Sequence, residues 1–194
     1  MHCGRHAAPW IARRRAVFLV LWGILGTCVI SWGQVQSSLD ETDTRAVMKA
    51  NFLFHFAASN EWPASVKTGP FNLAIIGNDR LYEELVDKYA LKMVGAQPLK
   101  IQSYPDVASY PLESTSHLVY CEIGGVELQK LAKALEPLPV LLVADSQGAL
   151  DRGAFINFVA VGNRIRYEIN AVKAGEKGVL IGNKIMSWAV TSTP

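Results

Sequence analysis

Three short runs, all apolar but for one asparagine, set the tightest limit on how this chain folds. Residues 71–76 (FNLAII), 118–121 (LVYC, within a strand expected over 117–121) and 140–144 (VLLVA) do not alternate cleanly between apolar and polar side chains, as a strand with one wet face does. Each gives way to turn or polar residues: Gly77-Asn78-Asp79 after the first, Glu122 after the second and Asp145 after the third. Runs of this length suit strands covered on both faces, the habit of parallel sheets. The segments between them carry helical spacing. Leu81, Leu85 and Tyr89 fall on one face and Glu83, Glu84 and Asp87 on others, which predicts a helix over 81–90. A short strand at 99–103 follows Pro98, and Gly124-Gly125 opens a helix over 126–135. This β-α-β rhythm predicts a mostly parallel sheet with helices on both sides.

The last third differs. In 164–170, Ile165, Tyr167 and Ile169 alternate with Arg164, Arg166 and Glu168, as expected of a strand with one solvated face. With 155–161 it forms an antiparallel hairpin through Gly162-Asn163, residues that tolerate the positive φ of a two-residue turn. An amphipathic helix at 183–190 is expected to cover the sheet. Ahead of the first strand, Asp43 or Thr44 can cap a helix that runs to Ser59, where Trp62-Pro63 stops it. Its second half is apolar on nearly every side except His55, which predicts burial all round or cover by a partner.

The first 33 residues read as a signal peptide. Arg13, Arg14 and Arg15 precede an apolar run of about 15 residues from Ala16 to Ile30, which is short for a membrane span. Ser31 and Gly33 place small side chains three and one before a cut after Gly33. An uncleaved anchor, a lipoprotein cut at Cys28 and a twin-arginine signal built on Arg14-Arg15 are the rival readings. Cleavage leaves a loose polar leader at 34–43 and a single domain at 44–191. It also leaves 15 basic residues against 17 acidic ones, so the chain's net +2 belongs to its leader. No basic patch points to nucleic acid.

Few residues carry recognisable chemistry. Gly77 stands without the further glycines of a dinucleotide loop, and no phosphate-binding loop is present, so no cofactor is expected. His55 and His117 lack metal-ligand spacing; His55 reads as a hydrogen-bonded core histidine and His117 as a surface residue. Cys121 reads as a buried thiol, and a Cys121–histidine hydrolase is the weakest reading. Asp79, Glu122 and Asp145 each follow a strand, the edge where open α/β sheets bind ligands, and form a candidate ligand rim. Turn and cap roles account for Asp79 and Asp145 equally well.

Several blocks together resemble the YfiR/HmsC-like family. They are Phe52-Leu53-Phe54-His55-Phe56 with Glu61-Trp62-Pro63, the strand ending at Gly77, Val94-Gly95 with Gln97-Pro98-Leu99, and Gly153-Ala154-Phe155-Ile156-Asn157-Phe158. The last is Gly162-Asn163-Arg164-Ile165-Arg166-Tyr167-Glu168-Ile169-Asn170. The resemblance implies a Rossmann-like α/β domain of three layers without a nucleotide, often dimeric, that restrains a membrane diguanylate cyclase from the periplasm. It marks Pro63, Gly77, Gly153, Asn157, Arg166, Glu168 and Asn170 as structural. Ser116-His117 stands where relatives commonly carry Cys-His, so switching through an internal disulfide is not expected. The functional expectation is a periplasmic, non-catalytic regulator of a membrane signalling protein, acting on cyclic-di-GMP and biofilm formation. Phe52, Phe56, Glu61, Trp62 and the terminal helix are its candidate partner surface. The alternative is a periplasmic small-molecule-binding protein.

Overall fold

The structure, a computed structural model, describes residues 30–112 and 116–193. The basic cluster, the apolar run up to residue 29 and Cys28 lie outside the described residues. No described helix is long and apolar enough to cross a membrane. The chain separates into the compact units Met1–Thr42 and Asp43–Pro194, and the sheet belongs to the second.

Helix α1 spans Ile30–Ser59, so residues 34–43, expected as a loose leader, are helical, and the cap at Asp43 or Thr44 is not used. No glycine or proline falls between Gln34 and Ser59. Once a helix is nucleated, each further residue adds a hydrogen bond at little cost, so the polar stretch propagates it. The buried face of α1 carries Ala46, Lys49, Ala50, Leu53, Phe56 and Ala57, an i, i+3, i+4 stripe with a lysine inside it.

The strands are β1 (Phe71–Ile76), β2 (Met93–Val94), β3 (Gln97–Tyr104), β4 (Leu118–Cys121), β5 (Leu141–Ala144), β6 (Ile156–Val161), β7 (Arg164–Asn170) and β8 (Thr191–Thr193). They form one sheet in the order β2-β3-β1-β4-β5-β6-β7-β8. β3, β1, β4, β5 and β6 run parallel, while β6–β7 is the expected antiparallel hairpin. Helix α2 (Asp79–Tyr89) links β1 to β3, and α3 (Gly125–Leu135) links β4 to β5. The chain thus leaves β1 in one direction, returns across it and builds outward in the other. The order reverses between β1 and β4. In the hairpin turn only Gly162 takes a positive φ, at 60°, and Asn163 does not. That is the pattern of a turn with glycine at its first central position.

Burial of the three apolar runs is nearly complete. Phe56 meets Tyr167 edge-on at 4.9 Å and Phe158 at 5.9 Å, which seats α1 on the sheet. After β7, Asn170 caps the short helix α4 (Ala171–Glu176) by accepting from the Lys173 N–H at 3.0 Å. Helix α5 (Asn183–Trp188) follows, held by the Tyr167 hydroxyl on the Ile185 carbonyl at 2.7 Å. The chain then returns as β8, parallel to β7 at the sheet edge. β2, α4 and β8 are too short to leave a periodic signal in the sequence.

Gly153 is the glycine the packing most clearly requires. Its φ is 101°, and a Cβ there would lie 2.7 Å from the Cβ of Ala132 on α3. The other family-marked residues make the following contacts. Buried Asn157 accepts from the Ser146 N–H at 3.1 Å and donates to Glu168 at 2.9 Å. Arg166 donates to the Trp188 carbonyl at 3.0 Å, and the Gly77 N–H donates to the Tyr104 carbonyl at 2.9 Å. Pro63 precedes a single 3-10 turn at Ala64–Val66.

Candidate functional site

The carboxyl end of the sheet, where strand order reverses, holds a charged cluster centred on Lys49. Its ammonium lies 2.6 Å from Glu122 Oε1, 2.6 Å from Asp145 Oδ2 and 3.0 Å from the Tyr120 hydroxyl, which fills all three of its N–H positions. Glu122 Oε1 also accepts from the Tyr120 hydroxyl at 2.6 Å and from Asn78 Nδ2 at 2.7 Å. Asn78 works twice, because its oxygen caps α2 by accepting from the Leu81 N–H at 2.8 Å. The lysine side chain is 6% exposed, against 34% for Glu122 and 22% for Asp145, so the cation is the buried partner.

These contacts set the protonation of the cluster. Burial pushes the Glu122 carboxyl up, but hydrogen bonds from Lys49 and Tyr120, the Lys49 charge and Asn78 outweigh it and hold the group below its ordinary range. Burial, with the Glu122 charge, pushes the Tyr120 hydroxyl far up, so it stays a donor. Beside it, burial drives the Cys121 thiol up to about 12, which makes it a core thiol and not a nucleophile.

Two of the three expected rim residues therefore meet. Glu122 and Asp145 converge on one cation, whereas Asp79 points elsewhere, accepts from the Ser103 hydroxyl at 3.0 Å and takes no part in the cluster. Its position in the first turn of α2 makes it a helix-start residue. Lys49 was not singled out among the sequence candidates. The signal was available: it falls on the stripe Ala46, Ala50, Leu53, Ala57, and a charge at a core position demands buried partners.

The expected partner surface needs correcting. Phe56 is fully buried, and Trp62 is buried with its indole N–H on the Ala57 carbonyl at 3.0 Å, so both belong to the core. A large aromatic beside a proline stop gains more by packing on Phe71, at 5.0 Å, than by facing water. Phe52 is half-buried against Tyr167 at 5.2 Å. Glu61 is exposed, and its backbone pairs with that of Leu180. Leu180, 57% exposed, and Trp188, 38% exposed, are the exposed large apolar side chains on the following segment and α5.

The histidines exchange their expected places. His55 is half-buried, its ring edge-on to Trp188 at 6.0 Å. His117 is buried at the amino end of the sheet. There it accepts the Asn72 N–H on Nδ1 at 3.1 Å, and Nε2 lies 2.7 Å from the Val66 carbonyl, which requires the neutral tautomer protonated on Nε2. Burial lowers its pKa despite the Val66 bond. Beside it lies a cavity of about 550 Å³, bordered by Val66, Pro70, Asn72, Lys100, Leu138 and Val140 among others.

A mostly parallel α/β domain whose reversal crevice is filled by its own lysine defines the class. The chain belongs to the YfiR/HmsC-like family, which it matches over residues 46–190. Among solved structures it is similar to a conserved domain protein from Vibrio cholerae O1 biovar El Tor, with 14% identity and a TM-score of 0.45. That alignment covers 63% of this chain and 54% of the other. Comparison with curated proteins gives no match.

Proposed function

We propose that this chain is a periplasmic, non-catalytic binding protein that restrains a membrane-bound signalling partner, a diguanylate cyclase or a sensor kinase. Restraint of that kind lowers cyclic-di-GMP output and biofilm formation. The observation that carries the reading is family membership over residues 46–190. Export with cleavage after Gly33 and a Rossmann-like, three-layer domain belong to the same reading. So does its lack of catalysis: the place where sheets of this topology hold substrates is taken by Lys49, an ammonium with every proton engaged. Repression requires only that the protein bind one state of its partner better than another.

Phe56 and Trp62 are core residues, so the contact surface we propose instead uses exposed Glu61 with its bridge partner Leu180, and Trp188 on α5. The test is a pull-down of the C-terminally tagged chain from detergent-solubilised membranes of its host. Recovery of a cyclase or kinase with a periplasmic domain, lost in Leu180→Asp with unchanged melting, supports both the function and the surface. Recovery of a second copy of the chain alone argues for a homodimer without this partner. The second reading, a small-molecule-binding protein, draws support from the cavity beside His117 and no longer from the carboxyl-end rim.

A further inference from the structure

We propose that the cavity at the amino end of the sheet binds a small amphipathic monoanion, an organic carboxylate with an apolar body. The proposal rests on the small-molecule reading and is independent of any membrane partner.

The volume, about 550 Å³, falls in the range of roughly 300–1,000 Å³ common to small-molecule sites. Four sheet positions border it in sequence across neighbouring strands. Lys100 on β3 is paired with Asn72 on β1, the His117 N–H donates to the Asn72 carbonyl at 2.9 Å, and Val140 directly precedes β5. Val66, Pro70, Leu138, Pro139 and Val140 supply apolar wall.

The charge of the lining selects the ligand's sign. His117 is neutral, with both ring nitrogens committed to Asn72 and Val66. Among the described residues no acidic one borders the cavity, and Lys100 is the one charged group in its lining. No ion-pair partner is seen for Lys100 among the described residues. An apolar body seated on Leu138 and Val140 with a single carboxylate on Lys100 matches both features. A dication or a polyphosphate matches neither.

The test is isothermal titration of the purified chain with octanoate and, in parallel, with 1-octanol, its uncharged counterpart. Saturable one-to-one octanoate binding is expected, weakened about tenfold in Lys100→Ala and about tenfold weaker for 1-octanol. Thr68→Trp, an exposed position on the rim, should block it by filling the mouth. Equal binding of the two probes overturns the charge assignment while leaving a ligand cavity in place. Octanoate binding unchanged in both variants places it elsewhere and overturns the site. No binding of either probe to folded protein overturns the proposal and the small-molecule reading together.

Discussion

At the carboxyl end of the sheet, Lys49 crosses from α1 to join Glu122 and Asp145, and Tyr120 and Asn78 complete the network. At the amino end, a neutral histidine with both nitrogens bonded stands beside a cavity. Both ends satisfy buried polar groups, but by different means. One uses full charges, which engages every proton of the lysine. The other uses a tautomer, which leaves the space beside it open. In a sheet of this topology the carboxyl end is the usual ligand site, whereas here the cavity lies at the amino end.

The largest effect should come from removing the cation. Lys49→Met leaves two carboxylates facing each other in a partly buried site and should destabilise the domain by about 3–5 kcal/mol in urea unfolding. Adding Glu122→Gln and Asp145→Asn to that variant should recover more than half of the loss, because the uncompensated charge is then gone. If the triple variant is no more stable than the single one, the cluster's importance lies in packing and not in charge.

His117→Ala should cost somewhat less, about 2–4 kcal/mol, through the lost stacking on Phe71 and the stranded Val66 carbonyl. A cost equal to that of Lys49→Met would erase the contrast between the two ends.

Acid should separate the ends in pH. The folded pKa of His117 is lowered, so its contribution is fully present above the unfolded value of about 6.5. As pH falls below that, the unfolded chain takes up a proton that the folded chain refuses, and stability is lost. Glu122, also held low, contributes above its unfolded value of about 4.3 and is lost as pH falls through its lower folded value. Glu84, lowered chiefly by its bond from Lys88 against the pull of burial, adds to this second stage. Melting temperature followed from pH 8 to 3 should show two steps. His117→Gln should remove the upper step and Glu122→Gln should shrink the lower one.

The smallest effect concerns Cys121. With its thiol pushed up to about 12, it should resist a disulfide reagent in the folded protein and react in urea. Rapid reaction at neutral pH without denaturant would show that this part of the sheet opens.

Much of the frame was legible. The apolar runs of β1, β4 and β5, the alternation in β7 and the Gly162-Asn163 turn each carry their cause in a few adjacent residues. The site was half legible. Glu122 and Asp145 follow their strands and so had to share an edge, but Asp79, one position beyond the cap Asn78, turns onto Ser103 instead. The aromatic residues misled, because Phe56 and Trp62 look the same in sequence whether they face a core or a partner.

The sequence by itself determined the longer strands and helices of the sheet domain and, through the family blocks, the family it belongs to. Local periodicity and turn chemistry act over a few residues, so they can be read along the chain. Only the tertiary structure decided that Lys49 meets carboxylates more than seventy positions away, that His117 is buried and His55 half-exposed, and that the open cavity lies at the amino end. Those outcomes depend on which atoms share a desolvated space, and long-range packing alone settles that.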